Sequence, residues 1–124
     1  MNADWMRSLI KSSAVPSSSA TSLVRAFVEK VYENALAHEL RSASLAVAQQ
    51  YAIAVRYKDI IVGEYVADLL VANEIIMELK AVRPLDEIHA AQCMNYLKAT
   101  GLRVCLLFNF GKPRVEVRRI VLGF

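Results

Sequence analysis

Glycine, proline and cysteine are scarce in this chain: 4, 3 and 2 among 124 residues, with two histidines and one tryptophan. Cys93 and Cys105 lie 12 apart, with no CxxC pair and no histidine grouped with them, so a zinc site is not expected. They read as buried free thiols in a reducing cytoplasm. His38 and His89 have no metal-ligand partner in local spacing. His38 reads as a packed or boundary residue, and His89 as either helix surface or site rim. The few glycines form neither GxxxxGK[ST] nor GxGxxG, and none of the many serines lies in GxSxG. Nucleotide-binding loops and a serine nucleophile motif are therefore absent. No apolar run approaches the ~18 residues of a membrane span, because Glu64, Asp68, Glu74, Glu78 and Lys80 interrupt the most hydrophobic region. The first five residues lack the basic start and apolar block of a signal peptide.

What is abundant is apolar residues, 56% of the chain against the usual 45–50% or so. That suffices for one domain with a core, and it leaves apolar surface that allows a homodimer. The net charge of +3 is unevenly spread. Residues 1–96 hold 9 Lys/Arg and 11 Asp/Glu, a net of −2; residues 97–124 hold 6 Lys/Arg against Glu116 alone, a net of +5. A basic end, with Lys112, Arg114, Arg118 and Arg119, suits a phosphate backbone. It equally suits an edge strand guarded against aggregation.

Taken in order, Trp5, Met6, Leu9 and Ile10 suggest a short amphipathic helix within 1–11. Residues 12–22, six of them serine, read as a loop. The expectation is thus an N-terminal extension over 1–22 and one domain over 23–124. A helix is predicted over 23–44, with one apolar line through Leu23, Phe27, Val31, Ala35 and His38 and a second through Val24, Val28, Tyr32, Leu36 and Leu40. Glu29, Glu33 and Glu39 are candidates for its polar edge. Strands follow at 47–57, 60–71 and 75–82, the last ended by Pro84. A helix runs from the N-cap Asp86 to about Thr100, with Gly101 as its left-handed terminator. A buried central strand over 103–110 and a basic strand over 116–122 complete an αβββαββ order.

The chemistry centres on the hairpin of the second and third strands. With Val71 to Glu74 as its turn, Asp68 lies beside Glu78 and Lys80, which share a face because strand side chains alternate. Two carboxylates and an ammonium on an apolar hairpin suit Mg²⁺, which takes one or two carboxylates plus waters and substrate phosphates. The competing reading of such a trio is a solvated ion pair. The apolar strand residues weigh against it, since buried charges are usually paired or bind metal. On the second helix His89, Gln92 and Tyr96 fall on one face.

Several blocks together resemble the GxxExxY proteins, a compact branch of the PD-(D/E)XK nuclease-like superfamily. They are Glu29 to Leu40 with Glu29-x-x-Tyr32, Val55-Arg56-Tyr57-Lys58, Gly63 to Val71, Glu78-Leu79-Lys80-Ala81-Val82, His89-x-x-Gln92 through Tyr96-Leu97, and Leu107-Phe108-Asn109-Phe110-Gly111. The chain departs from the family at Ala26, where the motif opens on glycine, at Ala67, where the superfamily name has proline, and in the serine-rich stretch. The resemblance implies an α/β, restriction-endonuclease-like αβββαβ core, a mixed sheet flanked by helices, with an extra C-terminal strand. It implies a Mg²⁺- (or Mn²⁺-) dependent nuclease acting on nucleic acid, with DNA the expected substrate. Asp68 and Glu78 would hold the metal with the Leu79 carbonyl, helped by Glu29. Lys80 would position the attacking water or stabilise the phosphoryl charge, and Gln92 and Tyr96 would flank the site. Two other readings stand beside it: a catalytically inactive nucleic-acid-binding or protein-interaction module, and a dimer-forming domain whose trio is an internal ion-pair network.

Overall fold

A computed structural model describes residues 22–82 and 85–123. The helix expected within 1–11, the serine loop before residue 22 and Pro84 lie outside the described residues. Helix α1 spans Ser22–Ser42. Its buried stripe follows the second of the two apolar lines, with Val28, Tyr32, Leu36 and Leu40 buried and Ala37 buried beside them. The first line is not the packing face, since Phe27 is 71% exposed and His38 is exposed too. Two adjacent rows cannot both face one flat sheet, and the row holding the larger buried volume faces inward. Ser44, with φ 65°, turns the chain out of the helix.

Five strands form one sheet in the order β1-β2-β3-β4-β5: β1 Val47–Tyr57, β2 Ile60–Val71, β3 Ile75–Lys80, β4 Val104–Asn109 and β5 Glu116–Val121. Only β3 and β4 are parallel. Helix α2, Glu87–Thr100, lies between them in sequence, the connection a parallel pair requires. The β1–β2 and β2–β3 hairpins are set by left-handed pairs, Lys58 and Asp59 (φ 48° and 65°) and Ala72 and Asn73 (φ 54° and 57°), the backbone that two-residue turns between twisted strands favour. The Glu74 N–H donates to the Val71 carbonyl at 3.0 Å and closes the second turn.

The sheet is covered on both faces. Leu69, Val71, Met77, Leu79, Phe108 and Phe110 pack with α1, and Leu70, Ile76, Cys105, Leu107 and Ile120 pack with Cys93, Tyr96 and Leu97 of α2. Cys93 and Cys105 are buried free thiols. The first half of β2 departs from this plan: Ile60, Ile61, Val62 and Val66 are exposed, because β3 flanks β2 only over its last three residues, Leu69 to Val71. No helix among the described residues is long and apolar enough to cross a membrane.

Both ends of α2 follow the sequence. Asp86 accepts from the Ile88 N–H at 2.7 Å, and His89 Nδ1 accepts from the Asp86 N–H at 3.1 Å, a reciprocal cap. His89 is therefore a capping residue. Gly101, at φ 75°, donates its N–H to the Leu97 carbonyl.

The segment after β4 pins the end of β3. Asn109, fully buried, accepts at Oδ1 from the Val82 N–H (3.0 Å) and the Gly111 N–H (2.9 Å). The Phe110 N–H donates to the Lys80 carbonyl at 2.8 Å, and its ring stacks on Tyr32 with centroids 4.1 Å apart. A Cβ at Gly111 would overlap the backbone of Val82. Gly111→Ala is therefore expected to cost about 1–3 kcal/mol, read as a lower urea midpoint at unchanged m-value. A midpoint equal to that of the wild type would show that the close approach is not needed.

Candidate active site

The ladder between β2 and β3 ends at Leu69 and Met77. The next pair in register is Asp68 and Glu78, and their side chains replace the missing ladder bonds. The Asp68 N–H donates to Glu78 Oε1 at 2.8 Å, and the Leu79 N–H donates to Asp68 Oδ2 at 2.8 Å. Each carboxylate spends one oxygen on the facing strand and keeps the other. In a strand a residue's N–H and C=O point to the same side, so the Leu79 carbonyl is aimed toward Asp68 as well. Glu78 and Lys80 are paired in register with Leu107 and Asn109, and Leu107 packs against α2; these two side chains thus open on the α2 face. Lys80 Nζ stands 3.8 Å from Glu78 Oε2.

Glu29 reaches the same end of β3 from α1, where its Oε2 accepts from the Ala81 N–H at 2.7 Å. It is half-buried and engaged, not a solvated helix edge. Burial pushes the carboxyls of Glu29, Asp68 and Glu78 above the usual range. For Glu78, burial and the neighbouring Asp68 charge raise it to about 8, against the pull of the Asp68 N–H and Lys80. Crowding and burial disfavour full ionisation of these carboxyls, and a proton or a cation relieves them.

Tyr96 is buried, and its hydroxyl donates to the Val66 carbonyl at 3.4 Å. Burial, with the charges of Glu78 and Asp68, raises its pKa and keeps the hydroxyl protonated. Gln92 lies one turn earlier on α2, half-buried, with no side-chain hydrogen bond to another described residue. The four basic residues do not share one face. Arg118 and Arg119 are registered with Leu107 and Leu106, on opposite faces, so Arg118 alone joins the α2 side. Arg118 lies 3.9 Å from Glu87, Lys112 lies 3.6 Å from Glu116, and Arg114 and Arg119 are exposed.

Three further residues gather beside the site. Glu33, expected at the polar edge of its helix, is 2% exposed. It accepts from Lys30 Nζ (3.0 Å), Gln49 Nε2 (2.7 Å) and Gln50 Nε2 (2.6 Å). Its place four residues after Glu29, on the same helix face, is the one clue the sequence held. Gln49 and Gln50 had none.

A hard divalent cation suits this donor set in chemistry and charge. No three His, Cys, Asp or Glu side chains among the described residues converge on one point. Mg²⁺ does not need three: two carboxylates with one spare oxygen each, a backbone carbonyl, water and phosphate oxygens satisfy it. The spare oxygens of Asp68 and Glu78 and their raised carboxyls fit that demand.

A mixed sheet between two helices, with an acidic pair and a lysine at the splayed end of its central hairpin, defines a restriction-endonuclease-like α/β protein. A family model described as the PD-(D/E)XK nuclease superfamily matches residues 15–120, and the chain belongs to that superfamily. Among solved structures it is similar to that titled SSO0001, at 16% identity and TM-score 0.61, over 80% of this chain and 52% of that one. It is similar also to an alkaline exonuclease from Laribacter hongkongensis, at 16% identity and TM-score 0.55, over 76% of this chain and 56% of that one. These likenesses establish the fold, and this chain spans about half the length of either neighbour. No curated protein matches the chain.

Proposed function

We propose that this chain is a Mg²⁺- or Mn²⁺-dependent nuclease of the GxxExxY branch that hydrolyses phosphodiester bonds in DNA. The observation that carries the reading is the exchange of backbone bonds between Asp68 and Glu78, which fixes two carboxylates at the hairpin's end with Lys80 beside them. Asp68, Glu78 and the Leu79 carbonyl would hold the cation, and Glu29 would support it from α1. Such a cation supplies Lewis-acid stabilisation of the charge that builds on the phosphoryl oxygens. The Lys80 ammonium donates hydrogen bonds to the attacking water or to a non-bridging phosphoryl oxygen. Tyr96, its hydroxyl held by the Val66 carbonyl, flanks the site on the α2 side, and with Gln92, one turn away, it would order Lys80 or border the substrate. Lys112, Arg114, Arg118 and Arg119 hold the backbone by sequence-independent contacts. The exposed apolar start of β2 supports self-association as a homodimer, and the free thiols agree with a cytoplasmic location.

The test is cleavage of labelled single- and double-stranded DNA and of RNA, with Mg²⁺, Mn²⁺ or EDTA. Metal-dependent cleavage of DNA is expected. Salt-sensitive binding without cleavage under any of these conditions would sink the nuclease reading and mark an inactive binding module. On the same substrates Arg114→Ala is expected to weaken binding about equally for all sequences and to lower the slope of log K against log salt by about 1. An unchanged slope would remove Arg114 from the interface.

A further inference from the structure

We infer that Gln50, anchored by Glu33, is a positioning residue that fixes the Asp68 carboxylate for the divalent cation. The inference rests on the nuclease reading above. Gln50 faces Asp68 across β1 and β2, since its neighbours Gln49 and Tyr51 are registered with Leu69 and Ala67. Its φ of 53° is left-handed, a conformation that a strand glutamine ordinarily avoids and that tends to mark functional sites. Strand alternation fails at the same point, for Ala67 packs on the α2 side and Leu69 on the α1 side. The distorted backbone delivers the side-chain amide between two carboxylates. Nε2 donates to Glu33 Oε1 at 2.6 Å, and the same side chain stands close enough to Asp68 to draw its carboxyl down against the effect of burial.

A primary amide nitrogen carries two hydrogens, and both neighbours can only accept, so the NH₂ end of Gln50, the β1 residue facing Asp68, is suited to bridge them. Glu33 is itself immobilised: its Oε2 takes Lys30 and Gln49, and Gln49 is bound in turn to Asn34 and Arg41. The chain Glu33–Gln50–Asp68 therefore ties the floor of α1 to the hairpin site. With Oδ2 also held by the Leu79 N–H, Asp68 has no freedom to swing away. Partners of this kind orient metal-binding carboxylates, and their loss typically weakens metal affinity about 10–100-fold.

The test is a Mn²⁺ titration of the wild type, Gln50→Leu and Gln50→Gly, followed by the electron paramagnetic resonance of free Mn²⁺, with circular dichroism to verify folding. Both variants are expected to bind Mn²⁺ about 10–100-fold more weakly. The glycine accepts the left-handed backbone without the amide, so it separates the amide's role from backbone strain and serves if the leucine variant misfolds. Wild-type affinity in a folded variant overturns the inference and leaves the nuclease reading standing. On the wild type, the side-chain NH₂ resonances of Gln50 are expected to shift when Mg²⁺ is added, and unmoved resonances at saturation would likewise overturn it. A wild type that binds no Mn²⁺, alone or with DNA, overturns the nuclease reading and this inference together.

Discussion

Lys80→Ala is expected to lower metal-dependent cleavage of DNA by roughly 100- to 1,000-fold, the usual cost of removing one preorganised donor to a transition-state charge. Lys80 is the last residue of β3, registered with Asn109, and its carbonyl takes the Phe110 N–H. The backbone is thus fixed whatever side chain it carries. The ammonium lies 3.8 Å from Glu78 and is 21% exposed, within reach of a substrate at the mouth of the site. Truncation leaves a surface-facing gap, so the urea midpoint should stay close to that of the wild type. Lys80 also draws down the carboxyls of Glu29, Asp68 and Glu78. Without it they hold their protons to higher pH, and the residual activity should shift to the alkaline side. Initial rates above a tenth of wild type at saturating metal would remove Lys80 from the reaction. Lys80→Arg is not expected to rescue it, because a planar fork cannot occupy the place of a compact ammonium.

The parts of this molecule that were legible in its sequence are those fixed by local rules. Period-2 alternation, two polar turns and a capped helix between Asp86 and Gly101 delimit the elements to within about two residues, and the hairpin register follows from the turn. Asp68, Glu78 and Lys80 come together because a hairpin is a local structure. The first helix was legible in extent but not in orientation: two equivalent apolar rows leave its rotation open, and only the packing of Tyr32 on Phe110, 78 residues away, decides it. That rotation is what buries Glu33 and brings Glu29 to Ala81. Gln50 was invisible because a left-handed glutamine in mid-strand has no propensity signal. The exposed start of β2 is not legible, because its sequence is as apolar as a buried strand and exposure there depends on where the neighbouring strand stops.

The acidic pair should also make the protein less stable as pH rises, until a cation is supplied. Glu78 titrates near 4.5 in an unfolded chain and at about 8 in the fold. The folded state therefore retains a proton that the unfolded state has lost across that interval. A group whose folded pKa is raised contributes stability that is complete below the unfolded value and disappears as pH passes the folded one, so in EDTA the wild type should lose stability between about pH 4.5 and 8. The slope approaches about 1.4 kcal/mol per pH unit if a single proton is involved. Asp68, raised by the same burial, works in the same direction. Glu78→Gln keeps a side-chain oxygen to accept the Asp68 N–H but carries no charge, so its stability in EDTA should fall less steeply over this interval and exceed that of the wild type at pH 8. Added Mn²⁺ should close much of that gap at pH 8. It should stabilise the wild type by about 2.7 kcal/mol at a hundredfold excess over the dissociation constant, and leave the variant almost unmoved. Urea unfolding at pH 5 and pH 8, with EDTA and with Mn²⁺, gives the four midpoints for each protein. A wild type equally stable at both pH values in EDTA would mean that Glu78 ionises normally inside the fold. The site would then be more open to water than its 2% exposure implies, and its carboxylates would have little electrostatic reason to take up a cation.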